Sequence, residues 1–254
     1  MLTRRQFIKF SLTSVAVANL AGLLPSMPIA HAFSSINIPV FLYHRVGGTN
    51  GNLTVTPEKF EKDLIWLHDK GYSTVSLETL RGFFINSDIA LPEKPIMISF
   101  DDGYLDNFIN AYPLLRRYGM TAAFFIITSM VNEEDRLATG HIREMAANGM
   151  SIGSHTVSHR PLGDMESEEA LNELSLSRMY LEGMLQKKID FVAYPKGSYN
   201  GSTGMIASEA GYCGGFSIIP GTCSRNTNPF VIPRVPLFSY DGDMRRTMLK
   251  YGLA

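Results

Sequence analysis

Ser99-Phe100-Asp101-Asp102-Gly103 ends an apolar run that starts at Pro95 and leaves two adjacent carboxylates on a glycine-terminated turn. Farther along, His155-Thr156-Val157-Ser158-His159 sets two imidazoles four positions apart, where one helical turn or tight loop can aim both at one point. One aspartate and two histidines form the three-ligand set that holds a catalytic zinc and keeps a position open for water. The other aspartate then stands where it can take that water's proton. Alone, the carboxylates could equally serve a turn or a helix cap, and the histidines could be unrelated polar loop residues. Together they outline a hydrolase site.

Around these motifs, short apolar strands alternate with amphipathic helices. Residues 38–43 read as a first strand, and Thr56 caps a helix with Pro57 at its first position, Phe60, Leu64 and Leu67 on one face, and Gly71 just past its end. Strands are expected at 73–75, 96–100, 121–127, 151–153, 190–193, 212–218 and 231–235. Helices are expected at 77–85, up to 118, at 141–147 and at 167–187, the longest, with Leu171, Leu174, Met179 and Leu181 inward. Such alternation calls for a parallel sheet, open or closed into a barrel. In barrels of this type the catalytic groups sit where strands end. Both motifs fall there, which favours the closed form.

The start of the chain concerns destination. Thr3-Arg4-Arg5-Gln6-Phe7-Ile8-Lys9 is a twin-arginine export pattern, followed by the uncharged stretch Phe10 to Leu24 and a small-x-small cleavage site, Ala30-His31-Ala32. About 15 apolar residues fall short of the roughly 20 that span a bilayer. Residues 1–32 therefore read as a cleaved signal, with export to the periplasm or the outside and no stable membrane anchor afterwards. Residues 33–254 are expected to form a single domain. Of the 23 basic residues, Arg4, Arg5 and Lys9 lie in the leader, so 20 basic against 24 acidic residues leave the remainder at −4. That balance argues against nucleic acid as a partner and against a basic membrane-binding face. Cys213 and Cys223 lie on one glycine-rich stretch, and a disulfide between them is left open.

These residues make the chain resemble a polysaccharide deacetylase of the NodB-homology type, carbohydrate esterase family 4. The family's Ser/Thr-Phe-Asp-Asp-Gly signature matches Ser99 to Gly103, and its His-Ser/Thr-x-x-His signature matches His155 to His159. Tyr104-Leu105-Asp106-Asn107, Gly149 to Ser154, Ala193-Tyr194-Pro195 and Val231-Ile232-Pro233-Arg234 also fit its wording. The resemblance implies an α/β fold, a distorted (β/α)7 barrel. It implies that Asp102, His155 and His159 bind a divalent metal, zinc first, with cobalt, nickel or iron as alternatives. It gives Asp101 the role of general base and a backbone N–H near Tyr104 that of oxyanion donor. The family's acid histidine, in a Leu-x-His signature, usually lies toward the C-terminus, but no histidine follows His159 here. Leu42-Tyr43-His44 ends the first strand instead, as in the circularly permuted extracellular poly-N-acetylglucosamine deacetylases, and His44 is the expected acid.

One family motif is altered. Where many members carry Arg-x-Pro-aromatic-Gly, this chain has Ala193-Tyr194-Pro195-Lys196-Gly197, and Arg234 is a candidate source of the missing charge. Tyr194 and Tyr199 either line a sugar-binding groove or pack. The implied activity is removal of acetyl groups from an N-acetylated polysaccharide, an N-acetylglucosamine polymer or peptidoglycan, with release of acetate. O-acetyl esterase, small-amide hydrolase and glycan binding without turnover are the alternatives.

Overall fold

A strand covered on both faces reads as an unbroken apolar run, and two such strands anchor the structure: β1 (Ile38–Tyr43) and β5 (Pro95–Phe100), buried at every position. The structure, a computed structural model, describes residues 36–48, 51–85 and 88–253; the export leader expected at residues 1–32 lies outside them. Between β1 and β5 come β2 (Arg45–Val46) and β3 (Thr54–Val55), which pair together, then α1 (Pro57–Asp69), β4 (Ser73–Thr74) and α2 (Leu77–Ile85). Thr56 Oγ1 accepts the Lys59 N–H at 3.2 Å, so α1 starts where its cap residue predicts. Beyond β5 follow α3 (Tyr112–Arg117), β6 (Ala123–Ile126), α4 (Thr139–Ala147), β7 (Ser151–Ser154), α5 (Ser167–Leu185), β8 (Phe191–Ala193), α6 (Thr203–Glu209), β9 (Gly214–Phe216), β10 (Thr222–Cys223), β11 (Val235–Pro236) and α7 (Met244–Lys250).

The strands β1-β5-β6-β7-β8-β9 lie side by side in that order, all parallel. The chain before and through β11 joins the two ends. Ile232 bridges Phe216 of β9 in parallel, its N–H donating to the Gly215 carbonyl at 2.9 Å, while Val235 pairs with Phe41 of β1. Residues 232–236 thus act as the last stave, and the curled sheet becomes the distorted (β/α)7 barrel. Among the described residues, no helix is long and apolar enough to cross a membrane.

Side chains alternate across a strand, and the two faces feed different clusters. Ile96, Ile98 and Phe100 of β5 pack outward with Phe124, Val192 and Val235 under the helices. Met97 turns inward to Val40, Phe125, Phe191, Phe216 and Ile232. The same parity puts Asp101 on the inner side at the C-terminal end of its strand. At the opposite end, α2 adds Leu77, Leu80 and Phe83 to the inner cluster, and its Leu77 N–H donates to Ser151 Oγ at the start of β7. One mouth is covered by a helix, so the chemistry is left to the other.

One expectation needs correction, and one open question is answered. On α5 the buried face runs Ala170, Leu174, Ser177, Leu181, whereas Met179 falls two residues off that stripe and is exposed. Cys213 and Cys223 are both free thiols, Cys213 exposed ahead of β9 and Cys223 buried on β10. A tighter constraint appears at Gly153 in β7, where an added Cβ would meet the Phe125 ring at 2.4 Å and the Phe191 carbonyl oxygen at 3.2 Å. Gly153→Ala is therefore expected to cost about 1–3 kcal/mol of stability through overpacking, read as a lowered thermal midpoint. An unchanged midpoint would contradict this packing of the barrel interior.

Candidate active site

The strand ladder carries Asp101 as far as an N–H bond to the Tyr43 carbonyl, 3.1 Å, and there the chain turns sharply. Asp102 and Gly103 take φ of 72° and 64°, in the left-handed region that glycine and aspartate tolerate best. Two strands away, His155 leaves β7 with its N–H on the Ile126 carbonyl, and Thr156 and His159 bend the following loop at φ of 65° and 60°. The two turns face each other. Asp102 Oδ1 lies 3.4 Å from His155 Nε2 and 3.3 Å from His159 Nε2.

This arrangement is rich in electrons. His155 Nδ1 is 2.7 Å from the Ala193 carbonyl, which only accepts, so Nδ1 carries the proton and Nε2 of the neutral ring presents a lone pair. Asp102 Oδ1 is buried with no hydrogen-bond partner, a state that is costly unless something positive compensates it. Burial pushes the Asp102 carboxyl up, but His155, His44 and His159 outweigh it and hold the pKa below the usual carboxylate range. At His155, burial is outweighed by Asp101 and Asp102, and the pKa rises. At His159, burial and His155 prevail and lower it. The field favours one positive charge among the three side chains. Their donor atoms all lie within 4.8 Å of one another, and one carboxylate with two imidazoles suits zinc and its neighbours. Asp102, His155 and His159 therefore fit a divalent cation.

Beside them, Asp101 is gripped by Arg234. Nη1 and Nη2 donate to Oδ1 and Oδ2 at 2.7 Å each, Nε donates to the Ser217 carbonyl at 2.9 Å, and the guanidinium is fully buried. Burial alone would raise the Asp101 pKa; Arg234 and His155 lower it instead, so the carboxylate stays ionised. His44 follows β1 on the same mouth, its Nδ1 buried and unpartnered. Burial outweighs the fields of Asp101 and Asp102 and lowers its pKa. Its backbone is held by the residues just past the aspartate pair. Asn107 Nδ2 donates to the His44 carbonyl at 2.8 Å, and Asp106 takes Arg45 Nε at 2.7 Å and the Val46 N–H at 3.3 Å.

A family model for polysaccharide deacetylases matches residues 88–214. The YxkH protein of Bacillus subtilis (strain 168) is 34% identical over 198 residues, 78% of this chain and 70% of that protein. This chain belongs to the polysaccharide deacetylase family. The poly-beta-1,6-N-acetyl-D-glucosamine N-deacetylase of Staphylococcus aureus (strain MRSA252) is 29% identical over 200 residues, 72% of this chain and 68% of its own. The solved deacetylase PplD of Streptococcus pyogenes, in complex with acetate, superposes with a TM-score of 0.80 at 27% identity, covering 86% of this chain and 99% of its own.

Within this deacetylase, the altered motif is compensated in space. Ala193 is buried and offers its carbonyl to His155, Lys196 is exposed, and the guanidinium on the acidic pair comes from Arg234. Tyr194 is a correction: it is fully buried, its hydroxyl donates to the Phe230 carbonyl at 2.9 Å, and its ring has no face to give a sugar. Tyr104 sits half-buried between the guanidinium groups of Arg45 and Arg136, each 4.2 Å from the ring centre. The bonds on either side, Leu105 N–H to Asp135 and Leu137 N–H to Gly103, make Tyr104 and Arg136 a non-hydrogen-bonded antiparallel pair. The Tyr104 N–H is thus not used by that ladder. Sequence reasoning missed Asp106 and Asn107 as clamps on His44, and Glu173 of α5, which accepts N–H bonds from Val157 and Ser158. The sequence signals for the first two were their closeness to the aspartate pair and their place in the Tyr104–Asn107 stretch that fits the family's wording.

Removing one partner of a buried ion pair strands the other. Arg234→Met should destabilise the protein by about 3–5 kcal/mol, measured by denaturant unfolding, and Arg234→Lys should recover only part because an ammonium lacks the two-pronged fork. Equal stability of all three proteins would contradict the bidentate contact.

Proposed function

We propose that this chain is an exported, divalent-metal-dependent N-deacetylase acting on a glycan of N-acetylglucosamine units and releasing acetate. The observation that carries the reading is the unpartnered Asp102 oxygen facing two imidazole nitrogens, with a second carboxylate, Asp101, locked beside it. The twin-arginine pattern at Arg4 and Arg5 supports export. The activity named for the Staphylococcus aureus relative, and the acetate bound to the Streptococcus pyogenes structure, support the substrate class and the product.

A divalent cation held by Asp102, His155 and His159 would act as a Lewis acid and make a water acidic enough to attack near neutral pH. The chain's own residues do the rest. Asp101, kept ionised by Arg234, accepts a proton from the attacking water as its oxygen bonds to the acetamide carbon. The Tyr104 N–H donates to the carbonyl oxygen as that atom gains negative charge. The carbon–nitrogen bond then breaks only if the nitrogen receives a proton, since an amide anion is too basic to leave. His44 delivers it. Burial lowers its pKa, so its imidazolium gives up the proton more readily although that form is less populated at rest. Water and amide become acetate and amine, with the glycan otherwise intact.

The test is acetate release from a panel of N-acetylated and O-acetylated glycans, with metal stripped and then restored. Release from the N-acetyl substrates, lost on chelation and regained with added zinc, is the expected result. Preference for O-acetyl substrates would replace the proposal with an esterase, and binding without release would replace it with a glycan-binding protein. His44→Ala should lower kcat by about 10²–10⁴ while the metal content stays at the parent level. Turnover equal to the parent would remove His44 from the mechanism.

A further inference from the structure

The loop between the two histidines has no regular ladder, yet each of its backbone N–H groups has a partner, as buried amides require. That of His155 donates to Ile126, that of Thr156 to Ser154 Oγ, and that of His159 to Thr156 Oγ1. The two in the middle depend on a distant side chain. Val157 and Ser158 both donate their N–H to Glu173 Oε2 at 2.9 Å, and the Ser158 hydroxyl donates to Oε1 at 2.6 Å. The carbonyl side is tied down by Thr128 and Ser129, whose N–H groups reach Thr156 and Val157 at 3.1 Å. Four positions along α5, on the same face as Glu173, Ser177 Oγ lies 2.7 Å from Ser154 Oγ. One helix stripe thus grips both the end of β7 and the loop beyond it.

We infer that Glu173 is a positioning residue of the metal site, setting the separation of the two imidazoles before a cation arrives. The inference rests on Asp102, His155 and His159 being the ligands. Thr156, β-branched, and His159 both sit at positive φ, a conformation such residues leave when nothing holds them. Hydrogen bonds to an ionised acceptor are roughly twice as strong as neutral ones, and here three converge on one carboxylate. With the loop already bent, ligand geometry exists in the empty protein. Without the clamp, part of the cation's binding free energy would go into ordering the loop.

A role limited to docking α5 on the sheet predicts lost stability with an unchanged metal affinity, so the two properties are measured together. The metal-stripped protein is titrated with zinc against a chromophoric chelator, and the thermal midpoint of the metal-free protein is recorded alongside. Glu173→Ala should weaken zinc binding about 10–100-fold, as loss of an outer support to metal ligands typically does. Glu173→Gln, which keeps the acceptor oxygen without the charge, should weaken it less. A dissociation constant equal to the parent's in Glu173→Ala overturns the inference. If that variant does not fold, Glu173→Gln decides: weakened binding supports the clamp and parent-like binding overturns it. A parent protein that binds no zinc fails the ligand reading underneath, a result distinct from parent binding that Glu173 does not influence.

Discussion

Three lone-pair-bearing atoms held together on two buried side chains and one half-buried one repel one another unless a positive charge sits among them. That constraint explains most of what surrounds Asp102, His155 and His159. The His155 ring is oriented by a backbone acceptor, which fixes the tautomer and aims Nε2 at Asp102. Backbone at positive φ on both sides of the site, at Asp102 and at His159, is held by hydrogen bonds. Arg136 Nη1 donates to the Asp102 carbonyl on one side. On the other, Glu173 accepts from Val157 and Ser158, and the His159 N–H closes onto Thr156 Oγ1 within the loop. Asp101 and Asp102 raise the His155 pKa despite its burial, the direction in which a positive charge among these groups is favoured.

Barrel closure is what completes the site. Arg234 lies 133 positions from Asp101 in sequence, and it reaches the carboxylate only because residues 232–236 wedge between β9 and β1. Direct pairing of β1 with β5 brings His44 and the aspartate pair out on one mouth, with Asn107 and Asp106 fastening the first to the second. A histidine from the start of the chain and an arginine from near its end thereby meet around one acidic turn. Circular order matters little to such a ring, because its first and last staves are neighbours.

Local chemistry was legible in the sequence. The Asp-Asp-Gly run and the four-residue histidine spacing are each ambiguous alone and point to one site only together. The alternation of apolar runs with amphipathic segments gives a parallel sheet, whose closure is favoured only because both motifs fall at strand ends. What failed or stayed open depended on distant partners. Tyr194 reads as a groove aromatic until β9 and Phe230 are seen to enclose it. Arg234 could be named only as one option, since nothing local indicates which carboxylate it faces. Glu173 looks like any solvent-facing acid on an amphipathic helix, and only the fold brings the His155–His159 loop onto it. Met179 was misplaced because the helix's buried stripe contains the polar Ser177, which a count of apolar residues skips.

The most direct measurement is anomalous diffraction at the zinc edge from crystals of the zinc-loaded protein. The account predicts one strong peak between Asp102, His155 Nε2 and His159 Nε2, with Asp101 beside it on Arg234. A loaded crystal with no peak there, or with its zinc bound elsewhere, would contradict it.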